Sequence, residues 1–246
     1  TDLIVPKPKR NKLGELVTMT PGENGSLIYS TLLRWVAGEP YHRDLESKDT
    51  AYQIGRILAI LHNQASQWQM PAGFSRPRRD TTYFANLLSG LEPAVSDGRM
   101  RQSDYAELSR SVALLIDLMH GLETSSQNHG IIHADTHKGN LIYHHGKIRL
   151  IDFSFCALGY FLFDLGICLG DMQAGLHKFC LQGYEKYRPL PENYERLIEG
   201  FFLGSIIGTF SFWAANPKAQ ELLARKVPQV TQDYAIKFNR NERFWF

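Results

Sequence analysis

The residues of this sequence that could do chemistry are concentrated in two stretches, HADTHKGN (133–140) and LIDFSFC (150–156). The first carries Asp135 and Asn140, and the second places Asp152 at the end of an apolar run. Such a set suits two kinds of centre. One is a divalent-metal hydrolytic centre, and the other is a phosphoryl-transfer centre that positions a nucleotide and Mg²⁺.

For a metal-dependent hydrolase, the ligands would come from the alternating residues of the first stretch. On a strand, His133, Asp135 and His137 would project from one face and offer imidazole and carboxylate to Zn²⁺ or Fe²⁺. The residues that follow supply Asn140 and Asp152 rather than further histidines at metal-ligand spacing. A hydrogen-bonded His-Asp pair with a purely structural role would also explain these residues. The hydrolase hypothesis therefore stays open, although it lacks further metal ligands.

Phosphoryl transfer accounts for more of the pattern. It needs a carboxylate that accepts the proton of the attacking hydroxyl, and oxygen ligands that hold Mg²⁺ against the phosphates. The spacing H-x-D-x-x-x-x-N matches the kinase catalytic loop, with Asp135 as the base and Asn140 as a metal ligand. Asp152 follows one predicted hairpin later, where kinases place a second metal-binding Asp. Because both motifs occur in the correct order, we favour a phosphotransferase.

The elements that must position these residues are predicted from hydrophobic periodicity. A β-hairpin is expected around the turn TPGENGS near the start, and a second hairpin around HHGK between the two chemical stretches. Between VAGEP and residue 128 the pattern predicts only helices and loops, and from FLFDLG to the end it predicts at least three more helices. The helices expected before residue 128 cover residues 51–68, 83–91 and 104–123.

Composition limits the functional classes. Of the 246 residues, 43% are hydrophobic and 21% charged, which is typical of a globular enzyme. A net charge of +2 gives no argument for nucleic-acid binding, and the basic clusters at 7–12 and 76–79 are predicted to be solvated loops. Three cysteines without a C-x-x-C pair favour reduced thiols and a cytoplasmic location. The apolar stretch 201–215 is shorter than a membrane span, so we predict a buried helix and no membrane contact.

The segment IIHADTHKGNLIYHHGKIRLIDFSFCALGYFLFDLG resembles the aminoglycoside phosphotransferase/choline kinase family, in particular its bacterial branch of homoserine kinases and stress-linked serine/threonine kinases. The resemblance implies a protein-kinase-like α+β fold, with ATP and Mg²⁺ as cofactors and a hydroxyl-bearing substrate as the partner. It implies that Asp135 is the catalytic base and that Asn140 and Asp152 are the metal ligands.

The same resemblance assigns supporting roles within the predicted site. His133 would support the catalytic loop as part of the catalytic set. His137 takes the place of a cation near the transferred phosphate. Asp164, in FDLG, resembles a buried carboxylate at a helix start that braces the loop, where a negative charge also suits the helix dipole.

Upstream, LLRWVAGEP is similar to the hinge between kinase lobes. By that match, the carbonyl of Arg34 and the N–H of Val36 would meet the adenine edge. The implied organisation is a remnant of an N-terminal β-lobe (1–34), a hinge (35–40) and a mainly helical C-terminal catalytic lobe (41–246), in which a small β-hairpin carries the site.

The sequence departs from the family in two places. No Gly-rich phosphate loop and no strand lysine of the V-A-I-K type precede the hinge, so we expect a fragment of a longer chain. If nothing is missing, a kinase-like protein without catalysis is the alternative. Ser154 stands where many relatives carry an acidic residue. The acceptor remains open between a small amino alcohol or similar molecule and a protein serine or threonine.

Overall fold

The computed structural model describes residues 3–246, so residues 1 and 2 of the predicted N-terminal segment lie outside the described part. The strands within this range are β1 (Pro8–Lys9), β2 (Thr18–Pro21), β3 (Leu27–Ser30), β4 (Leu32–Leu33), β5 (Glu39–Pro40), β6 (Arg78–Arg79), β7 (His129–Ile132), β8 (Leu141–His144), β9 (Lys147–Leu150) and β10 (Ala157–Tyr160). The α-helices are α1 (Lys48–Gln67), α2 (Thr81–Ser89), α3 (Glu92–Ser96), α4 (Gln102–His120), α5 (Leu162–Gly170), α6 (His177–Glu185), α7 (Tyr194–Ala214), α8 (Gln220–Val230) and α9 (Ile236–Asn239).

The first predicted hairpin is present as the antiparallel pair β2–β3, in which Thr18 lies opposite Ser30. The strands β1 and β4, which precede and follow this hairpin in the sequence, also form an antiparallel pair. All residues of these four strands are exposed. Backbone hydrogen bonds rather than a buried core therefore hold this part of the described chain together.

The second predicted hairpin, β8–β9, is also present. Its turn residues His145 and Gly146 have φ values of 47° and 77°, the left-handed conformation that a tight hairpin turn requires. The strand β5 adds to its edge, although the sequence predicted no strand there. Gly38 permits this close approach, because at its φ of 133° a Cβ would lie 2.5 Å from a side-chain carbon of Ile142.

The predicted helices 51–68, 83–91 and 104–123 are found as α1, α2 and α4, each with shifted ends. α1 begins three residues earlier than predicted because Ser47 and Thr50 form a capping box. α1 packs closely on α6 through two glycines. A Cβ on Gly55 would overlap the carbonyl oxygen of Cys180, and one on Gly183 would overlap that of Tyr52.

The predicted buried helix is α7, whose 21 residues include the apolar stretch from Phe201 onward. By length and composition it is the one helix in the described range that could cross a membrane, but 61% of its most apolar window is buried inside the protein. Phe201 and Phe210 are almost completely inaccessible and belong to the main hydrophobic core. The helix therefore serves here as a core element.

One sheet was not predicted. β10 lies between β6, to which it is parallel, and β7, to which it is antiparallel. The prediction that residues 76–79 form a solvated loop is therefore wrong for Arg78 and Arg79. The amide of Leu158 donates to the carbonyl of Pro77 at 2.8 Å, which aligns the two strands. Because strand pairing uses the backbone, two arginines can form a strand that no hydrophobic alternation indicates.

Candidate active site

The loop that carries Asp135 follows β7 and turns sharply at Ala134, whose φ is 61°. Asp164, in the first turn of α5 and 1% exposed, holds this turn. Its Oδ2 accepts from the amide of His133 at 2.8 Å, and its Oδ1 accepts from the amide of Ala134 at 2.7 Å. The hydroxyl of Thr136 donates to the Asp164 carbonyl at 2.6 Å. These bonds offset the cost of a left-handed non-glycine residue.

His62 supports Asp164 from α1. Its Nε2 lies 3.1 Å from Oδ2 of Asp164, and its Nδ1 lies 2.9 Å from the hydroxyl of Tyr184. Burial lowers the pKa of His62 although the Asp164 carboxylate opposes that shift, so the imidazole is neutral. The proton then resides on Nε2, which donates to the carboxylate, and Tyr184 donates to Nδ1. No local sequence pattern indicates this contact, because 102 residues separate the two partners.

Asp135 and Asn140 form a pair within the loop. The amide nitrogen of Asn140 donates to Oδ2 of Asp135 at 2.7 Å and to its backbone carbonyl at 2.8 Å. Asn140 is buried, whereas 27% of the Asp135 side chain is exposed. Among residues 3–246 no group donates to Oδ1 of Asn140, so this oxygen is free to bind a cation.

His137 faces the other oxygen of Asp135. Its Nδ1 accepts from the amide of Gly139 at 3.0 Å, which places the proton of the neutral ring on Nε2. Nε2 lies 3.4 Å from Oδ1 of Asp135, and 46% of the His137 side chain is exposed. An N–H group therefore lies near each carboxylate oxygen of Asp135.

His133 points away from Asp135, into the protein. Its Nε2 lies 3.0 Å from the carbonyl of Ile151, and its ring stacks edge-on against Phe153 at 4.7 Å. It thus joins the loop to the segment that leads into Asp152. The common face that a metallohydrolase would need is not formed, and the described residues contain no cluster of three His, Cys, Asp or Glu side chains that could hold a metal.

Asp152 has a left-handed backbone conformation, with φ of 61°. Its Oδ1 accepts from the hydroxyl of Ser154 at 2.6 Å and from the Ser154 amide at 3.2 Å. These bonds, the hydroxyl first, lower the pKa of the Asp152 carboxyl and favour its charged form. Ser154, which the sequence marked only as a departure from the family, thereby orients Asp152 and leaves its Oδ2 without a donor in the described range.

The donor set suits Mg²⁺. A carboxylate oxygen of Asp152 and the amide oxygen of Asn140 are both available, and Mg²⁺ prefers one or two such hard oxygen ligands together with phosphate oxygens and water.

The predicted adenine contacts lie in the segment between β4 and β5. The amide of Arg34 donates to the carbonyl of Lys7 at 2.8 Å. Within residues 3–246, neither the Arg34 carbonyl nor the Val36 N–H has a hydrogen-bond partner, so both are available to a ligand. Arg149 fixes the segment from β9, since its guanidinium donates to the carbonyl of Ala37 at 2.7 Å.

An ion pair that was not predicted from the sequence also holds the loop that carries Asp135, through Lys138. The ammonium group of Lys138 contacts Oε1 of Glu46, and the amide of Gln173 donates to Oε2 at 3.0 Å. Burial disfavours the Glu46 carboxylate, but the bonds from Lys138 and Gln173 outweigh it and lower the pKa of Glu46. The amide of Lys138 also donates to Asp171 at 2.7 Å.

A cavity of about 450 Å³ opens beside Asp135 and His137. Its walls come from β6, α2, α5 and α7, and include Arg79, Tyr83, Asp171 and the apolar side chains of Ile167, Phe202, Ile206 and Phe212. Its size is in the range of small-molecule binding sites. His133 does not line this cavity, in keeping with its inward orientation.

Comparison with known proteins identifies relatives of the chain. A model of the APH phosphotransferase enzyme family matches residues 11–197. The homoserine kinase of Neisseria meningitidis serogroup B is 27% identical over 210 residues, which cover 78% of this chain and 63% of that kinase. The chain thus spans less than two thirds of the length of this curated relative.

Two solved structures are similar over nearly the whole chain. A microcompartment-associated aminopropanol kinase gives a TM-score of 0.80 at 21% identity, with 98% of this chain and 77% of that chain covered. An amicoumacin kinase in complex with AMP-PNP, Ca²⁺ and Ami gives a TM-score of 0.75 at 18% identity, with 99% and 74% covered. These likenesses confirm the predicted protein-kinase-like fold.

Proposed function

Because the chain belongs to the APH phosphotransferase enzyme family, we propose that it transfers the γ-phosphoryl group of ATP to a hydroxyl group of a small molecule. The proposal depends above all on the hydrogen-bonded pair of Asp135 and Asn140, which joins a partly exposed carboxylate to an amide oxygen that has no donor in the described range. Phosphoryl transfer needs such a base next to a metal ligand.

Asp135 is the group that accepts the proton of the attacking hydroxyl. Asn140 donates to Oδ2 at 2.7 Å and so fixes the orientation of the carboxylate, while Nε2 of His137 lies 3.4 Å from Oδ1. Each carboxylate oxygen has two acceptor positions, so one on each oxygen remains for the substrate. The cavity beside Asp135 offers the acceptor space within reach of this carboxylate.

Asn140 and Asp152 would hold Mg²⁺, whose chemistry there is to neutralise the charge of the transferred phosphoryl group. Ser154 keeps Asp152 charged and oriented for this purpose. The free backbone groups of Arg34 and Val36 suit an adenine edge.

His133 and Asp164 have positioning roles. His133 links the loop of Asp135 to the segment before Asp152, and Asp164 holds the loop backbone. Preorganised groups of this kind contribute to catalysis because they need no rearrangement during the reaction. The division into an N-terminal β-lobe remnant (1–34), a hinge (35–40) and a catalytic lobe (41–246) is part of the same proposal.

We also propose a cytoplasmic location. All three cysteines, Cys156, Cys168 and Cys180, are buried free thiols. Burial raises the pKa of Cys156 to about 11, so its thiol stays protonated and unreactive at neutral pH. Free thiols of this kind are typical of a reducing compartment.

Titration calorimetry with ATP, in Mg²⁺ and in EDTA, followed by an ADP-release assay tests the function. We expect ATP binding that depends on Mg²⁺ and weakens in Asp152→Ala. Asp135→Asn should abolish transfer but retain nucleotide binding. Asp44→Asn is the matched control, since Asp44 is 93% exposed and remote from the loop in sequence. Full transfer by Asp135→Asn would refute the assignment, and nucleotide binding without turnover by the unaltered chain would favour a kinase-like protein without catalysis.

A further inference from the structure

Arg79 is a half-buried cation that has no anionic partner among the residues that the structure describes. Its Nε is inaccessible to solvent and has no hydrogen-bond acceptor, and within residues 3–246 its side chain forms no ion pair. The preceding residue behaves differently, because Arg78 is 58% exposed and pairs with Asp80 at 3.2 Å. Burying a polar N–H without an acceptor costs free energy, so an arginine that carries such a donor in a cavity wall is a candidate to bind an anionic group.

The backbone fixes where Arg79 points. Successive residues of a strand face opposite sides, so Arg78 turns to solvent and Arg79 turns to the cavity beside Asp135. Arg79 lies opposite Gly159 of β10, where a Cβ would lie 3.2 Å from the Arg79 Cβ. Because Gly159 has no side chain, the aliphatic part of the Arg79 side chain can pack against the sheet at this position.

Tyr83 orients the guanidinium group. The central carbon of the Arg79 guanidinium lies 4.2 Å from the centre of the Tyr83 ring. A cation stacked on an aromatic face at this distance is attracted to it, and its planar fork is held in a fixed orientation. Arg79 is thus ordered before any ligand binds.

The charges around the cavity bear on the kind of ligand. Arg79 is the only Lys or Arg among its lining residues, which also include Asp135, Asp171 and the half-exposed ring of His137. Asp171 already accepts from the amide of Lys138 at 2.7 Å. A guanidinium fork matches a carboxylate through two parallel hydrogen bonds. The same cavity is also lined by the apolar side chains of Ile167, Phe202 and Ile206, which suit a short aliphatic chain.

We propose that Arg79 binds a carboxylate of the acceptor, so that the substrate is a small aliphatic hydroxy acid whose hydroxyl reaches Asp135. The inference rests on the proposed phosphotransferase function and narrows its substrate class. It makes Arg79 the residue that distinguishes acceptors with a carboxylate from acceptors without one.

A matched pair of acceptors tests this. L-homoserine and 3-aminopropan-1-ol share the primary hydroxyl, the amine and the chain between them, and differ by the carboxylate. The kcat/KM of both is measured with saturating ATP and Mg²⁺ for the unaltered chain, Arg79→Gln, Arg79→Lys and the control Arg78→Gln. Binding of L-homoserine is measured in parallel by calorimetry.

In Arg79→Gln we expect kcat/KM for L-homoserine to fall roughly 10- to 100-fold, as for lost hydrogen bonds between charged groups. The value for 3-aminopropan-1-ol should stay unchanged. Arg79→Lys should give an intermediate loss because it keeps the charge without the fork, and Arg78→Gln should match the unaltered chain with both acceptors. Melting temperatures show whether each variant is folded.

Other outcomes overturn the proposal. An equal fall in kcat with both acceptors would mean that Arg79 acts on the transferred phosphoryl group instead of a carboxylate. No change with either acceptor would remove Arg79 from the site. If neither acceptor is phosphorylated, calorimetry decides the inference alone: L-homoserine must bind to the unaltered chain and to Arg78→Gln but not to Arg79→Gln, and the proposed function is judged separately by the ATP-binding and ADP-release experiment.

Discussion

The amide nitrogen of Asn140 lies 2.7 Å from Oδ2 of Asp135 and 2.8 Å from its backbone carbonyl. This double contact directs the amide nitrogen at Asp135 and turns the Asn140 oxygen away, with no donor to it in the described range. One residue therefore orients the proposed base and keeps a metal-ligand oxygen free. The two roles are coupled because they belong to the two ends of a single planar amide.

Replacing Asn140 should therefore affect the base and the metal together. Asn140→Ala removes the donor to Asp135 and the free oxygen, so we expect kcat to fall by on the order of 100-fold and Mg²⁺ to bind more weakly in the presence of ATP. Steady-state kinetics over a range of Mg²⁺ concentrations measure both effects. Normal kcat at saturating Mg²⁺ would show that Asn140 does not position Asp135.

Asp164 should be important for stability as well as for the loop. Asp164→Ala leaves the amides of His133 and Ala134 and the Nε2–H of His62 buried without their acceptor. We expect the free energy of unfolding in urea to fall by about 3–5 kcal/mol. The control Asp44→Ala should change it by less than about 0.5 kcal/mol, because exposed residues contribute little. Equal stability of the two variants would contradict the role given to Asp164.

Glu46 should make stability depend on pH. Its pKa in the folded protein is below the ordinary value of 4.5, so its contribution is fully present above that value and is lost as the pH falls through the folded pKa. Between about pH 5 and pH 3, the unaltered chain should therefore lose stability more steeply than Glu46→Gln. Urea unfolding at several pH values measures this. Parallel curves would show that the pair of Glu46 and Lys138 does not favour the charged carboxyl.

The contact between α1 and α6 should not tolerate a methyl group. Gly55→Ala would force a Cβ into the carbonyl of Cys180, so the two helices must separate. We expect a loss of about 1–3 kcal/mol or more in the free energy of unfolding. Gly175→Ala is the control, because a Cβ there meets nothing within 4 Å and its φ is not left-handed. Unchanged stability of Gly55→Ala would mean that the helices are not in such close contact.

Features that depend on short spacing could be predicted from the amino-acid sequence alone. The loop from His133 to Asn140 and the hairpin that leads to Asp152 were predicted from local motifs and turn residues, and the structure has the hairpin where it was expected. The helices α1 and α4 were predicted because apolar residues recur at helical period over many residues, and α2 was expected as a shorter helix. Local patterns of this kind predict structure well, because the helical period and the hairpin turn reflect the backbone geometry of neighbouring residues.

Which distant residues meet became known only from the packing of the folded chain. His62 and Asp164 are 102 residues apart, and Glu46 and Lys138 are 92 apart, so no local pattern pairs them. The strand β6 has two residues, too few to show any alternation, and only its pairing with β10 turns Arg79 into the cavity. His133 looked equivalent to Asp135 in spacing, yet the left-handed turn at Ala134 sends it to the opposite side. Packing selects such partners by shape and burial, which a linear sequence does not display.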